Sequence, residues 1–546
     1  MATAAELFIR CLENEGVDKI FGIPGEENLY VMDALRNSTI EFITVRHEQA
    51  AAFMADVHGR LTGKAGVCLA TLGPGATNLV TGFADANMDH SPVVAIAGQG
   101  ATTRMHKESH QILDLVSLFD PISKYSVEIL EPEIIPELVR KAFKDSQAEK
   151  PGGAFISFPE NIAGEEMTGE ALPLKVQSPL PPDAPEAKVV QAARVIDAAK
   201  FPLIMAGNGV IRDHANEALV AFAEKLNIPV TQTFMAKGAI PFSHPLSLGS
   251  VGLQAHDYVA CGFDRADVVI CIGYDMVEYH PRLWHPDKEK KIIHIDLSYA
   301  EVDAHYVLEA GVLGDIPDSL TRIAAHASKQ HAGKTDNLKG IIMEELDDYA
   351  ANTSYPLKPQ KILFDTRRVM NKEDILISDV GAHKMWIARL FRCERPNTCI
   401  ISNGFASMGI GVPGAIAAKM ACPDRNILTI TGDAGFMMNS QEIETALRCR
   451  VAIVIMIWND SAYGLIKWHQ ERRFGHSNNI GFNNPDFVKY AESFGARGYR
   501  VESAAELAPA LEKAFADNTV VIIDVPVDYS ENMKLTENLG HLVCPV

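Results

Sequence analysis

The chain of 546 residues lacks any long apolar run: the longest, Val451 to Trp458, falls far short of the ~20 residues that cross a bilayer. Its opening stretch, MATAAELFIRCLENEGVDKI, has neither the basic nor the apolar segment of a secretory signal. The expected location is therefore the cytoplasm, with no membrane partner. Cations are also short, with 50 Lys and Arg against 70 Asp and Glu and a formal net charge of -20. No segment concentrates them as a reader of phosphate backbones requires, which argues against nucleic acid as a partner. The nine cysteines show no CxxC or Cys/His spacing, so neither a disulfide framework nor a zinc site is expected, and they read as buried thiols.

What is present is the balance of a globular protein, 47% hydrophobic and 22% charged. A single core stops growing near ~250–300 residues, so the chain must divide. From Asp18 onward, strand-length apolar runs (KIFGIP, IEFITV, AGVCLAT, SPVVAIAG) alternate with helical stretches such as EQAAAFMADVHGRLTG. That alternation predicts parallel βαβ units. The pattern restarts after the proline-rich ALPLKVQSPLPPDAPEAK and again after ANTSYPLKPQ. The expected fold is α/β, with three doubly wound parallel-sheet domains at 1–170, 188–330 and 358–535, each with ligands at the carboxyl ends of its strands.

The strongest chemical signal is in the third block. The strand NILTI runs into Thr431-Gly432-Asp433-Ala434-Gly435, a helix follows from about Gln441, and the strand VAIVIMIW runs into Asn459-Asp460. Parallel neighbours ~5 Å apart bring both acids to one edge. Two carboxylates there suit Mg²⁺, which completes its octahedron with phosphate oxygens, while helix N–H groups face the phosphate charge. The plainer reading is that Gly-Asp and Asn-Asp merely cap loops, and it weakens when the two occur as a pair in this context.

These residues resemble the signature of the thiamine-diphosphate enzymes, a GDG followed one helix and one strand later by NN; this chain has GDA and ND. The resemblance implies that Asp433, Asp460 and the carbonyl of Ala462 hold Mg²⁺, with Ala434, Gly435 and Tyr463 around the cofactor. It assigns Glu48, in Arg46-His47-Glu48-Gln49, to the N1′ of the aminopyrimidine, whose imino group then deprotonates the thiazolium carbon. Met408, in Ala406-Ser407-Met408-Gly409, matches the bulky residue that wedges the cofactor into its bent form. Val380-Gly381-Ala382-His383 matches a second diphosphate loop. Pro24, Gly73 and Asn78 fall at positions that wall the pyrimidine.

The resemblance runs along nearly the whole chain and is nearest to the acetolactate synthase branch, carried by FGIPGEEN, LGPGATN, HQILDLVSLFDPISKYS and IIDVPVDYS. It implies decarboxylation of pyruvate and carboligation to a second pyruvate, giving 2-acetolactate and CO₂. Gly25, His110, Gln111 and Lys124 match positions bordering the substrates, with Gln111 a catalytic candidate; Ile466 and Trp468 follow the metal loop and shape the pocket. Family architecture implies a homodimer or homotetramer with the site between chains. A biosynthetic relative would carry FAD, but Gly207-Asn208-Gly209 lacks the third glycine of a dinucleotide fingerprint at Arg212, so FAD is not favoured. A decarboxylase or oxidase using the same cofactor, a carboligase with another acceptor, a nicotinamide enzyme, and a non-catalytic cofactor-binding protein stay open at this point.

Overall fold

The computed structural model describes residues 2–167, 171–177, 180–252, 259–333 and 336–535. It contains three six-stranded sheets, parallel throughout. The first is built from β1 (Lys19–Gly22), β2 (Glu41–Thr44), β3 (Gly66–Ala70), β4 (Val93–Gln99), β5 (Tyr125–Glu128) and β6 (Gly153–Pro159), in the order β2-β1-β3-β4-β6-β5. The expected first boundary, near 170, falls on residues 168–170, outside those described.

The second sheet comprises β7 (Pro202–Ala206), β8 (Val230–Gln232), β9 (Ser247–Ser250), β10 (Val268–Ile272), β11 (Lys291–Asp296) and β12 (Leu308–Leu313), ordered β12-β11-β10-β7-β8-β9. This is the dinucleotide-fold order, with its crevice between β7 and β10. The third comprises β13 (Ile375–Ser378), β14 (Cys399–Ile401), β15 (Ile427–Gly432), β16 (Val454–Asn459), β17 (Arg497–Arg500) and β18 (Val521–Pro526), ordered β14-β13-β15-β16-β18-β17. Sheets one and three therefore share one strand order, and in each the order reverses between the first and third strands, where a parallel sheet opens a crevice.

The third sheet is the centre of the molecule. Along β16, Val454, Met456 and Trp458 pack into a core shared with the second sheet, whereas Ile455 and Ile457 pack into one shared with the first. The period of two along a strand sends successive side chains to opposite faces, which is why this strand reads as one continuous apolar run. On the first-sheet side, helix Gly411–Ala421 packs against helix Glu48–Thr62. A Cβ on Gly414 would stand 3.0 Å from Val57 Cγ2, so small residues set this close approach.

Below that contact Arg60 bonds Asp56 at 2.8 Å and Asp89 at 2.6 Å, and donates to the Ile401 carbonyl at 3.1 Å. Seven cysteines are free thiols, Cys261 is disulfide-bonded, and Cys544 lies outside the described residues. The expectation of thiols throughout fails at Cys261. Among the described residues no helix is long and apolar enough to cross a membrane.

Candidate active site

At the crevice of the third sheet, the loops after β13, β14, β15 and β16 surround a cavity of about 240 Å³. Val380, Ala382, His383, Ala406, Met408, Asp433, Ala434, Gly435, Asp460, Ala462, Tyr463 and Ile466 all line it. The helix after β15 begins at Asp433 itself, with Gly432 as its N-cap, earlier than the Gln441 expected. It carries the carboxylate directly into the cavity wall.

Asp433 Oδ2 accepts from the Ser461 N–H and from the Asn484 amide, each at 2.7 Å, and Oδ1 accepts from the Ala434 N–H at 2.9 Å. Burial raises its carboxyl above the usual range despite these bonds. Asp460 is pushed up to about 7, first by burial and then by the charge of Asp433. Two desolvated carboxylates repelling each other form a place for a cation. Among the described residues no group of three His, Cys, Asp or Glu gathers as a metal cage. Two acids fit Mg²⁺, which keeps positions for phosphate oxygens.

The opposite wall supplies a second fit. His383 is buried, its ring bonded to the Asp379 backbone, and burial lowers its pKa to about 4. Its Nε2 has no hydrogen-bond partner, an orphaned polar atom that a phosphate oxygen would satisfy while favouring protonation of the ring. Asp379 accepts from the N–H groups of Gly409 and Gly411, both at 3.0 Å, and so holds the loop on which Met408 sits. Ala406 in that loop has φ +57°, a left-handed conformation that marks a backbone held by its surroundings.

Glu48 is elsewhere. It begins helix Glu48–Thr62 after β2, is 8% exposed, and accepts from the Asn78 amide at 2.9 Å. Around it are the turns after β1 and β3. A Cβ on Gly25 would collide with the Thr71 side chain at 2.4 Å, and one on Gly73 would stand 2.9 Å from Gln111 Cβ and the Gln111 carbonyl. Pro24, Gly25, Glu48, Gly73, Asn78 and Gln111 therefore gather at the carboxyl edge of the first sheet, with His110 exposed in the adjoining segment. None of them lines the Asp433 cavity.

Two of the expected residues lie away from these groups. Lys124 precedes β5 and lies at the amino edge of the first sheet, where its ammonium donates to the carbonyls of Ala148 and Lys150, both at 2.6 Å. This ammonium is committed to backbone at the edge of the sheet opposite Glu48. Trp468 lines a neighbouring cavity of about 650 Å³, shared with Asp460 and Lys467, rather than the one at Asp433. Its helix turns it inward, while Ile466 faces the Asp433 cavity. The sequence reading also passed over Asn484, Asp379 and Tyr529. Asn484 bonds Asp433 across 51 residues with no local signal; Asp379, in the turn before Val380-Gly381, could have been noticed.

At the crevice of the second sheet, Gly207 and Gly209 press against Gly273, where added Cβ atoms would lie 2.3 Å and 2.6 Å from its backbone. The Asn208 N–H donates to the buried Glu278 carboxylate at 3.0 Å, and Arg212 is paired with Glu149 and with Asp275 at 2.8 Å. A carboxylate thus takes the N–H that a dinucleotide phosphate would need.

Three family models match the chain: the N-terminal TPP binding domain of thiamine pyrophosphate enzymes over residues 2–118, the central domain over 189–323, and the C-terminal TPP binding domain over 379–525. An acetolactate synthase of Bacillus subtilis is 38% identical over 98% of this chain and 95% of its own length. A probable acetolactate synthase large subunit of Methanocaldococcus jannaschii is 37% identical over 98% and 94%, and a catabolic acetolactate synthase of Raoultella terrigena is 35% identical over 98% and 97%.

Proposed function

Because the chain belongs to the thiamine pyrophosphate enzyme family, we propose that it is an acetolactate synthase, joining two pyruvates into 2-acetolactate with loss of CO₂. The carrying observation is the presence of two separate groups of residues at the matching crevices of two sheets with one strand order. One bears Glu48 held by Asn78; the other bears Asp433 and Asp460 opposite an unpartnered His383.

Thiamine diphosphate, when bound, supplies the carbon nucleophile and the electron sink. Asp433, Asp460 and the Ala462 carbonyl would hold Mg²⁺ and, through it, the diphosphate, with His383 donating to a phosphate oxygen. Glu48, its carboxylate oriented by Asn78, would hold a proton at the pyrimidine N1′. Met408 would pack against the cofactor. Gln111, packed on Gly73, would donate to a substrate carboxylate or carbonyl, beside Gly25 and His110. The three domains are 1–170, 188–330 and 358–535.

Neither half-site is complete alone, which supports a site between two chains, with Glu48 of one facing Asp433 of the other. A homodimer is the minimum, and a homotetramer of two such pairs is the fuller assembly. The carboxylate on Asn208 supports function without FAD, and the expected setting is the cytoplasm.

The test is product formation from pyruvate by purified protein with thiamine diphosphate and Mg²⁺ and no FAD, wild type against Glu48→Gln. Acetolactate that largely disappears in the variant supports the assignment. Acetaldehyde instead would make the protein a decarboxylase, and no turnover would point to another 2-oxo acid.

A further inference from the structure

Glu442 is fully buried and lies outside the cavity at Asp433. It closes a short turn, Ser440–Glu442, that continues the helix Asp433–Asn439. Its Oε1 accepts from the Arg46 N–H at 3.0 Å and the His47 N–H at 3.1 Å; its Oε2 accepts from the Thr445 hydroxyl at 2.6 Å.

Arg46 and His47 immediately precede Glu48. The ladder of β2 ends just before them, with the Val45 N–H on the Gly22 carbonyl at 3.0 Å. Two main-chain donors at a partly buried turn need an acceptor, and leaving one bare costs ~1–3 kcal/mol. A carboxylate from the third sheet's domain fills that need and thereby sets the direction in which the helix of Glu48 leaves the first sheet.

The same turn also holds the far side of Glu48. Asn439 donates to Gln49 Oε1 at 3.4 Å and to the Gly409 carbonyl at 2.9 Å. Gly409 has φ +96°, and a Cβ there would stand 2.9 Å from the Asn439 amide, so the loop of Met408 is seated on this side chain. One turn thus grips the residues on both sides of Glu48 and the residue after Met408.

We propose that Glu442 is a positioning residue for Glu48, and that the Asn439–Glu442 turn ties Glu48 to the Asp433 helix and the Met408 loop of its own chain. This rests on the reading above that Glu48 serves the partner's cavity; on that reading the turn is a mechanical link between the two active sites of a dimer.

The experiment follows exchange of the thiazolium C2 proton for deuterium in thiamine diphosphate bound with Mg²⁺, without any 2-oxo acid, together with amide exchange at Arg46 and His47 in the cofactor-free protein. Glu442→Met is expected to slow C2 exchange by roughly tenfold or more, as small misplacements of reacting groups do, and to expose both amides. Glu442→Gln retains an acceptor for both N–H groups and is expected to keep the wild-type rate within about threefold. Wild-type exchange in Glu442→Met, or equal slowing in Glu442→Gln, overturns the proposal. Should Glu442→Met not fold, Thr445→Val decides: it frees the carboxylate, so slower exchange supports the role and an unchanged rate overturns it. Glu48→Gln is the control, since unslowed exchange there removes the reading of Glu48 itself, whatever Glu442 does.

Discussion

The side-chain amide of Asn78 donates to the carboxylate of Glu48 at 2.9 Å, from helix Pro74–Met88 to the first residue of helix Glu48–Thr62. A bond to an ionised acceptor contributes ~1.5–3 kcal/mol, and its loss frees the carboxylate to rotate. Asn78→Ala is expected to lower kcat by roughly tenfold or more while leaving the KM for pyruvate nearly unchanged. Steady-state kinetics check this, and a loss confined to KM would place Asn78 on the substrate instead.

The acid pair at Asp433 and Asp460 costs stability until a cation joins it. Asp460→Asn is expected to raise the melting temperature of the cofactor-free protein and to abolish the further rise that Mg²⁺ with thiamine diphosphate gives the wild type. Thermal melts with and without both ligands measure it. A variant that still gains the full increment would remove Asp460 from the metal shell.

Arg60 is the buried cation among Asp56, Asp85 and Asp89, its side chain 8% exposed. Removing one member of a buried ionic group leaves the others uncompensated, at ~3–5 kcal/mol. Arg60→Met is expected to destabilise the fold by that amount in urea unfolding, and Arg60→Lys to recover little, because an ammonium cannot span three carboxylates as the planar guanidinium fork does.

Burial lifts Glu442 from the ordinary 4.5 to about 7, with Glu444 adding to the rise and the Thr445 hydroxyl and the N–H groups of Arg46 and His47 opposing it. A carboxyl whose folded pKa exceeds its unfolded value contributes stability below the unfolded value, and that contribution is lost as pH climbs through about 7. The wild type should therefore lose stability between about pH 5 and pH 8 relative to Glu442→Gln, which does not titrate. Urea midpoints at the two pH values give the difference, and parallel curves would mean that Glu442 is ionised throughout.

The alternation of apolar runs and helical stretches revealed three parallel sheets, and the paired Gly-Asp and Asn-Asp revealed two acids at one sheet edge, because both are local patterns read within one βαβ unit. Sequence order does not say which edge of a sheet a residue occupies: Lys124 precedes its strand, whereas Glu48 follows one. Trp468 and Ile466 are two residues apart on one helix yet line different cavities.

The sequence by itself determined the parallel α/β units, the acids at a strand's carboxyl end and the glycine turns, since period, spacing and turn chemistry act over a few residues. Only the tertiary structure decided that Glu48 and Asp433 sit apart at the edges of two sheets, that Asn484 completes the shell of Asp433, and that Glu442 caps Arg46 across 396 residues. Such partners are set by where sheets stack and helices cross, and a hydrogen bond closed across a domain contact leaves no periodic trace along the chain.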